Sequence, residues 1–240
     1  MKRSDTNRNR RGSKQTEQVD NFQEQEPRKE QVDKSPLEGQ TDNQKRYLKA
    51  MANSNLIFAT GPAGVGKTFL ATAFAAKLLT EKKIDRIIIT RPAIEAGENL
   101  GFLPGEIEEK FDPYLQPFKD VLYRRLGRSF TDYLINNNRI EAVPLAYIRG
   151  RTFRNAIVIL DEAQNTTPAQ MKMFLTRIGE DCTVIVNGDP KQMDIKGQSG
   201  LLDAVKRLTH IPEVRVVEFT KADIVRSGLV QKIVEAYEND

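Results

Sequence analysis

Leu56-Ile-Phe-Ala-Thr60-Gly61-Pro62-Ala63-Gly64-Val65-Gly66-Lys67-Thr68 is the stretch that decides the fold. A short apolar run enters a loop with glycines at 61, 64 and 66, the loop ends on Lys-Thr, and residues 66–80 continue with helical spacing. This is the pattern G-x-x-x-x-G-K-[ST] in the context it needs, after a buried strand and opening a helix. The glycines let the backbone wrap close to phosphates, with Pro62, Ala63 and Val65 completing the cradle, so that N–H groups and the helix N-terminus face negative charge. Lys67 would reach the β- and γ-phosphates of a nucleotide, and the Thr68 hydroxyl would bind Mg2+. The plainer alternative, a glycine-rich strand-to-helix turn without a ligand, has to reproduce strand, loop and helix together by chance.

Working outward, four more runs rich in Ile and Val follow: Arg86–Thr90, Ala156–Leu160, Thr183–Val186 and Val214–Phe219. Several are apolar at successive positions, the mark of strands buried on both faces. Helical spacing appears at 66–80, 106–126, 167–178, 199–209 and 223–238, so strand and helix alternate and the fold class is α/β with a mainly parallel sheet. Prolines at 104, 113, 117 and 144 interrupt the middle, which reads as an insertion of helices and loops around 97–150. Cys182 opens a buried strand and reads as a small core residue, His210 as a helix-end residue, and Asn136–Asn138 as a turn.

The chemistry a phosphate loop needs is supplied further along. Ala156-Ile-Val-Ile-Leu160 runs straight into Asp161 and Glu162, which places two carboxylates at the tip of a strand neighbouring the loop. Asp161 suits the Mg2+ role and Glu162, pointing elsewhere, suits a general base for water. The alternative is a solvated pair capping the next helix. After Thr183–Val186 comes Asn187-Gly-Asp-Pro-Lys-Gln192, and Gln192 is a candidate γ-phosphate sensor, because strand tips in an open α/β sheet converge on the ligand. That stretch could equally be an Asn-Gly-Asp-Pro turn without chemistry.

Composition sets the limits. The chain has 240 residues and a formal net charge of +4. Lys2, Arg3, Arg8, Arg10, Arg11 and Lys14 against Asp5 give residues 1–14 a charge of +5, which leaves −1 for everything after them. Residues 1–40 hold one aromatic (Phe22) and four other apolar residues, too few to offset the entropy of ordering, so they read as a disordered tail preceding a domain at 41–240. One cysteine and one histidine exclude a disulfide framework and a Cys/His zinc site, so any metal sits on oxygen ligands. No apolar run reaches membrane-spanning length and the N-terminus is polar, so the expectation is a cytoplasmic protein without a membrane partner.

Five motifs stand together in this sequence: Gly61–Thr68, Asp161-Glu-Ala-Gln164, Gly188-Asp-Pro-Lys-Gln192, Thr90-Arg91-Pro92 with Leu100-Gly-Phe-Leu-Pro-Gly105, and Tyr147-Ile-Arg149-Gly-Arg151-Thr-Phe153. Together they resemble the PhoH family of phosphate-starvation-inducible ATPases, related to the first RecA-like domain of superfamily-one helicases. The resemblance covers residues 41–240 and implies a RecA-like P-loop NTPase using ATP and Mg2+. Thr41-Asp-Asn-Gln44-Lys-Arg-Tyr47 matches the family's adenine-contacting segment, in which Gln44 would favour ATP over GTP, whereas Tyr47 could be ordinary core. Asp223-Ile-Val-Arg226-Ser matches the segment that aims an arginine at a nucleotide, although Arg226 could also be a surface residue. With one P-loop and no second RecA-like half, the site would be completed by another copy of the chain, Arg226 acting in trans. The resemblance implies a hexameric ring.

RNA or single-stranded DNA is the partner the resemblance implies, with Arg91, Arg149 and Arg151 near strand ends as contacts for nucleic acid or for the γ-phosphate. A neutral body with few aromatics argues against a large groove. The reading is therefore an Mg2+-dependent ATPase coupled to nucleic acid, set against a nucleotide-gated binding or assembly protein with little turnover, tethered by its tail. A small-molecule P-loop kinase is a third option, against which the Asp-Glu-Ala-Gln box stands. The family's longer members carry a folded N-terminal region or a fused nuclease, which nothing in this sequence resembles.

Overall fold

The structure, a computed structural model, describes residues 32–92, 107–225 and Gly228. Its elements are α1 (Asp42–Asn53), β1 (Leu56–Thr60), α2 (Lys67–Thr80), β2 (Arg86–Thr90), α3 (Ile107–Leu126), α4 (Arg128–Asn136), β3 (Ile140–Ala142), β4 (Ala156–Leu160), α5 (Pro168–Leu175), β5 (Cys182–Gly188), α6 (Gly200–Leu208) and β6 (Val214–Glu218). Single 3-10 turns at Leu145–Ile148, Ala163–Asn165 and Lys221–Asp223 join them. The strands form one all-parallel sheet in the order β3-β2-β4-β5-β1-β6, which makes the expected α/β class complete in its parallelism.

The apolar runs form this sheet because both of its faces are covered. On one side Ile57, Ala59, Ile87, Ile89, Ile157 and Ile159 meet α1, α2, α3 and α4. On the other, Phe58, Ile88, Val158, Leu160, Val184 and Val186 meet α5 and α6. All five residues of β1 and of β4 are buried, which is why these strands carry no alternation. Helix α2 is buried at Ala71, Ala73, Ala75 and Ala76, small residues that let it lie close on the sheet directly behind the phosphate loop. Cys182 is buried as expected, and burial pushes its thiol up to about 12.

Three elements depart from the expectations. Helix α1 was not anticipated, although its start is written in the sequence: Thr41 caps it, and Gln44 closes a reciprocal capping box. Strand β3, on the sheet edge, pairs only Ile140, Glu141 and Ala142 with Ile87, Ile88 and Ile89, too short and too polar a run to stand out. Of the insertion expected around 97–150, residues 97–106, with the Leu100–Gly105 motif, lie outside the described residues, and the rest holds two helices, β3 and a 3-10 turn. Helix α3 runs through Pro113 and Pro117, and α4 and β3 follow it. Prolines four residues apart concentrate their loss of hydrogen bonds on adjoining turns of one helix.

The helix expected over 223–238 falls almost wholly outside the described residues; its first described part is the 3-10 turn ending at Asp223. Residues 1–31, the greater part of the expected tail, also lie outside. Residues 32–40 run along the body, with the Asp33 N–H donating to the Arg124 carbonyl at 2.8 Å and Leu37 packing against the core.

Candidate active site

The loop after β1 is shaped by its glycines and held from behind. Gly61 has φ +137°, and a Cβ there would lie 2.4 Å from the Phe219 carbonyl oxygen, so no other residue fits. Its N–H donates to the Gly188 carbonyl of β5 at 3.1 Å, Gln44 Nε2 donates to the Val65 carbonyl at 3.0 Å, and the Val225 N–H donates to the Gly64 carbonyl at 3.2 Å. Gly66 is the N-cap of α2 and offers no side chain, which leaves the first turn of the helix open toward the loop. Lys67 folds over this opening, its Nζ donating to the Gly61 and Pro62 carbonyls at 2.6 and 2.8 Å. Burial lowers the pKa of that ammonium, while Asp189, Asp161 and Glu162 push it back up.

The tips of β4 and β5 supply the facing wall. Asp161 is 8% exposed, and the Thr68 hydroxyl lies 3.3 and 3.4 Å from its two oxygens. Burial raises its pKa to about 6; Arg91 pulls down, the Glu162 charge pushes up, and the Thr68 hydrogen bond and Lys67 pull down. Glu162 follows in a left-handed backbone conformation, φ 53° and ψ 37°, a costly one for a side chain with a Cβ. The turn breaks the strand's alternation and sends the two carboxylates different ways. Arg91 Nη2 donates to Glu162 Oε1 at 2.8 Å and Gln164 Nε2 to Glu162 Oε2 at 2.7 Å, so both oxygens are engaged.

Gln164, 1% exposed, ties the two tips together. Besides Glu162, its Nε2 donates to the Gln192 carbonyl at 3.1 Å, and its Oε1 accepts from the Asp189 N–H at 3.0 Å. Gln192 Nε2 in turn donates to Asp189 Oδ2 at 2.8 Å. Gly188 makes room for this, since a Cβ on it would come 2.8 Å from Gln164 Oε1.

Between the two walls lies a cavity of about 240 Å³, lined by Ala63, Gly64, Gly66, Lys67, Thr68 and Phe69 on one side and Asp161, Glu162, Gly188, Asp189 and Gln192 on the other. Its size suits phosphates better than a whole nucleotide. The donor set fits a hard divalent cation: a hydroxyl and a carboxylate already within hydrogen-bonding distance would be its protein ligands, Thr68 and Asp161. Among the described residues no three acidic, histidine or cysteine side chains are placed to hold a metal ion together, so most of the coordination would come from ligand oxygens and water, the habit of Mg2+.

Comparison with known proteins fits this geometry. The sequence profile of the family described as PhoH-like protein matches residues 36–238. The chain belongs to the PhoH family. Protein PhoH of Escherichia coli (strain K12) is 55% identical to it over 209 residues, covering 85% of this chain and 59% of that protein. The PhoH-like protein of Bacillus subtilis (strain 168) is 52% identical over 200 residues, covering 82% and 63%. The chain therefore spans about three fifths of the length of these PhoH relatives. Similar solved structures include Pif1 helicase from Candida albicans, with TM-score 0.43, 15% identity and coverage of 83% of this chain and 43% of that one. The large terminase of a thermophilic bacteriophage in complex with ADP gives TM-score 0.49, 11% identity and coverage of 81% and 49%.

Of the PhoH-motif residues singled out in the sequence, Lys67, Thr68, Asp161, Glu162 and Gln192 meet at the cavity. Three placements differ from expectation. Asp161 does not come from a strand adjacent to the loop strand, because β5 lies between β4 and β1. Gln44 is buried, its oxygen accepting from the Gln40 and Thr41 N–H groups and its nitrogen donating to the loop, so it braces the cradle. Arg149 and Arg151 do not line the cavity: Arg149 is exposed beyond the turn at Leu145–Ile148, and Arg151 pairs with Glu141 on edge strand β3. Arg91 sits behind Glu162, and Tyr47 is fully buried core. Arg226 lies outside the described residues. Sequence reasoning missed Gln164, Gly188 and Asp189 as site residues; the Asp-Glu-Ala-Gln and Gly-Asp-Pro-Lys-Gln boxes contained them, but only the fold puts the boxes in contact.

No described helix is long and apolar enough to cross a membrane.

Proposed function

We propose that the chain hydrolyses ATP with Mg2+. The observation that carries this reading is the meeting of Lys67, Thr68, Asp161, Glu162 and Gln192, from the tips of three strands, around one phosphate-sized cavity. Lys67 leaves the Gly61 and Pro62 carbonyls to hold the β- and γ-phosphates, and the loop N–H groups bind their oxygens. Thr68 and Asp161 would hold Mg2+, which would supply neutralisation of phosphate charge. Glu162 positions the attacking water and takes its proton, and Gln192 contacts the γ-phosphate. Selection of ATP over GTP through Gln44 requires its carboxamide to give up the Gln40 and Thr41 N–H groups for the base. Phosphate release by the purified chain with ATP and Mg2+ tests the reading, which fails if wild type is inactive or if Lys67→Ala and Glu162→Gln retain full turnover.

A second reading, a nucleotide-gated binder with little turnover, is favoured by one observation: both Glu162 oxygens are engaged, by Arg91 and Gln164, so the atoms that would take a proton from water are already occupied. Low basal turnover raised by single-stranded RNA or DNA supports the ATPase reading; nucleotide binding without turnover under every condition supports the binder. Because Arg91 and Arg151 are paired with carboxylates, coupling to nucleic acid rests on Arg149 and on the basic residues 2–14.

The site opens to solvent, and a homo-oligomeric ring, hexameric by family resemblance, would complete it with Arg226 of a neighbouring copy. A cis role for Arg226 is favoured by the bond from Val225 to Gly64 of the same chain. Mixing Arg226→Ala with Lys67→Ala chains separates the two, since regained turnover in the mixture requires action in trans.

A further inference from the structure

Strand β6 closes one edge of the sheet, pairing with β1 alone among the described residues. Which of its backbone groups face outward follows from its flanks. The Glu213 carbonyl accepts from the Asn55 and Leu56 N–H groups, and the Phe219 N–H donates to the Thr60 carbonyl, so odd-numbered residues turn their backbone groups toward β1. Alternation along an extended strand then turns Val214, Val216 and Glu218 outward. Val214 is satisfied, its N–H donating to the Ile211 carbonyl and its own carbonyl accepting from Arg215. The N–H and C=O groups of Val216 and Glu218 have no partner among the described residues. Four such groups in three residues form a template for one more strand.

The template lies in a groove of about 700 Å³. Helix α1 forms one wall, with Arg46, Lys49 and Asn53, and β6 forms the other, with Arg215, Val216 and Glu218. The lining carries three cations against one carboxylate and has no aromatic ring. Bases would find nothing to stack on, and a sugar-phosphate backbone has no alternating N–H and C=O groups to match those of Val216 and Glu218, so a nucleic-acid strand is poorly served. An extended polypeptide is well served, because it brings the backbone groups that Val216 and Glu218 lack and can present carboxylates to Arg46, Lys49 and Arg215.

We infer that the groove between α1 and β6 is a docking site for an acidic peptide segment of a partner protein, which adds to the sheet as a strand beside β6. The inference does not depend on the chain's activity toward nucleotides.

The test uses the full chain and a fluorescein-labelled (Glu-Val)5 peptide, read by anisotropy and by amide hydrogen exchange at Val216 and Glu218. The expected result is saturable binding, weakened at least about tenfold by Arg46→Glu with Lys49→Glu and by N-methylation of alternate peptide amides, with exchange at both residues slowed by the peptide. A (Lys-Val)5 peptide is expected not to bind. Binding that survives N-methylation overturns the inference, since attraction without strand pairing then suffices. Slow exchange at Val216 and Glu218 in the free protein also overturns it, because the chain's own residues then cover the edge. Protection by a single-stranded oligonucleotide instead of the acidic peptide assigns the groove to nucleic acid and overturns it as well.

Discussion

The two walls of the cavity are built differently. The wall at the tips of β4 and β5 is held by side chains before any ligand arrives: Gln164 spans Glu162, Asp189 and Gln192, Ser199 Oγ donates to the Gln164 carbonyl, and Asn165 and Asp194 are joined by two hydrogen bonds. The phosphate loop is held through its backbone, by the Gly61 N–H on the Gly188 carbonyl and at the carbonyls of Val65 and Gly64, and its lysine rests on the loop's own carbonyls. Carbonyls drawn backward leave the opposite face of the loop to N–H groups. On the proposed function, one wall is therefore arranged in advance, and the other would take its final form when phosphates displace Lys67. Damage to the loop should show in binding, and damage to the strand tips in turnover.

The largest separation is expected from the two charged ends. Lys67→Ala should lower ATP affinity at least about tenfold and turnover by about 10³-fold, the scale of losing a donor aimed at developing charge. Glu162→Gln keeps the shape and the contact with Gln164, so turnover should fall roughly 10²-fold while ATP affinity stays within about twofold. Calorimetric titration with ATP and phosphate-release kinetics read both quantities. Equal losses of affinity in the two variants would mean that the walls do not act separately.

Gln164 sharpens the contrast, because it lines neither the loop nor the cavity. Gln164→Met preserves volume in a buried position and removes all three bonds. The expected effect is a turnover about 10- to 30-fold lower, with unchanged KM and thermal stability within about 1.5 kcal/mol of wild type. A merely structural role would instead appear as lost stability with turnover per folded molecule intact. Gly188→Ala drives a Cβ to 2.6 Å from Leu201 Cδ2 and 2.8 Å from Gln164 Oε1, and should reproduce the turnover defect by displacing Gln164 rather than replacing it, with an added loss of stability from the clash with Leu201.

The same contrast governs what the sequence disclosed. The loop was legible because its three demands, a strand, close backbone approach and a helix N-terminus, fall in thirteen consecutive residues from Leu56 to Thr68. Asp161, Glu162 and Gln192 were legible as strand-tip polar residues. The bonds among them were not, because Gln164 meets Asp189 across 25 positions and Glu162 turns through a left-handed conformation that no residue preference announces. Gln44 carries a second part that the match to an adenine-contacting segment does not disclose, although Thr41 and Gln44 at cap spacing spell a capping box. Arg151 looked available near a strand end, and Glu141 on the unexpected strand β3 takes it.

The remaining expected effect lies where the walls meet, at Asp161. Burial holds its pKa near 6, above the ordinary 3.8. Between about pH 4 and pH 6 the folded chain retains a proton that the unfolded chain has released, so this group's contribution to stability falls as pH rises through that window and is level above it. The difference of about two pH units corresponds to on the order of 3 kcal/mol. Asp33 and Asp223 slope the other way: Ser35 hydrogen bonds hold the first down to about 2, and hydrogen bonds including those from Thr41 and Asn43 lower the second in spite of its burial. The Asp161 signal is therefore the difference between wild type and Asp161→Asn in denaturant unfolding at pH 4.5 and 6.5 without Mg2+. Asp161→Asn should be the more stable at pH 6.5, and its advantage should shrink toward pH 4.5. For Mg2+ the sign reverses, because the cation competes with that proton: affinity should be flat above about pH 7 and fall about tenfold per unit below pH 6. Parallel pH profiles for wild type and Asp161→Asn would mean that the strand-tip wall does not keep this carboxylate protonated in the free protein.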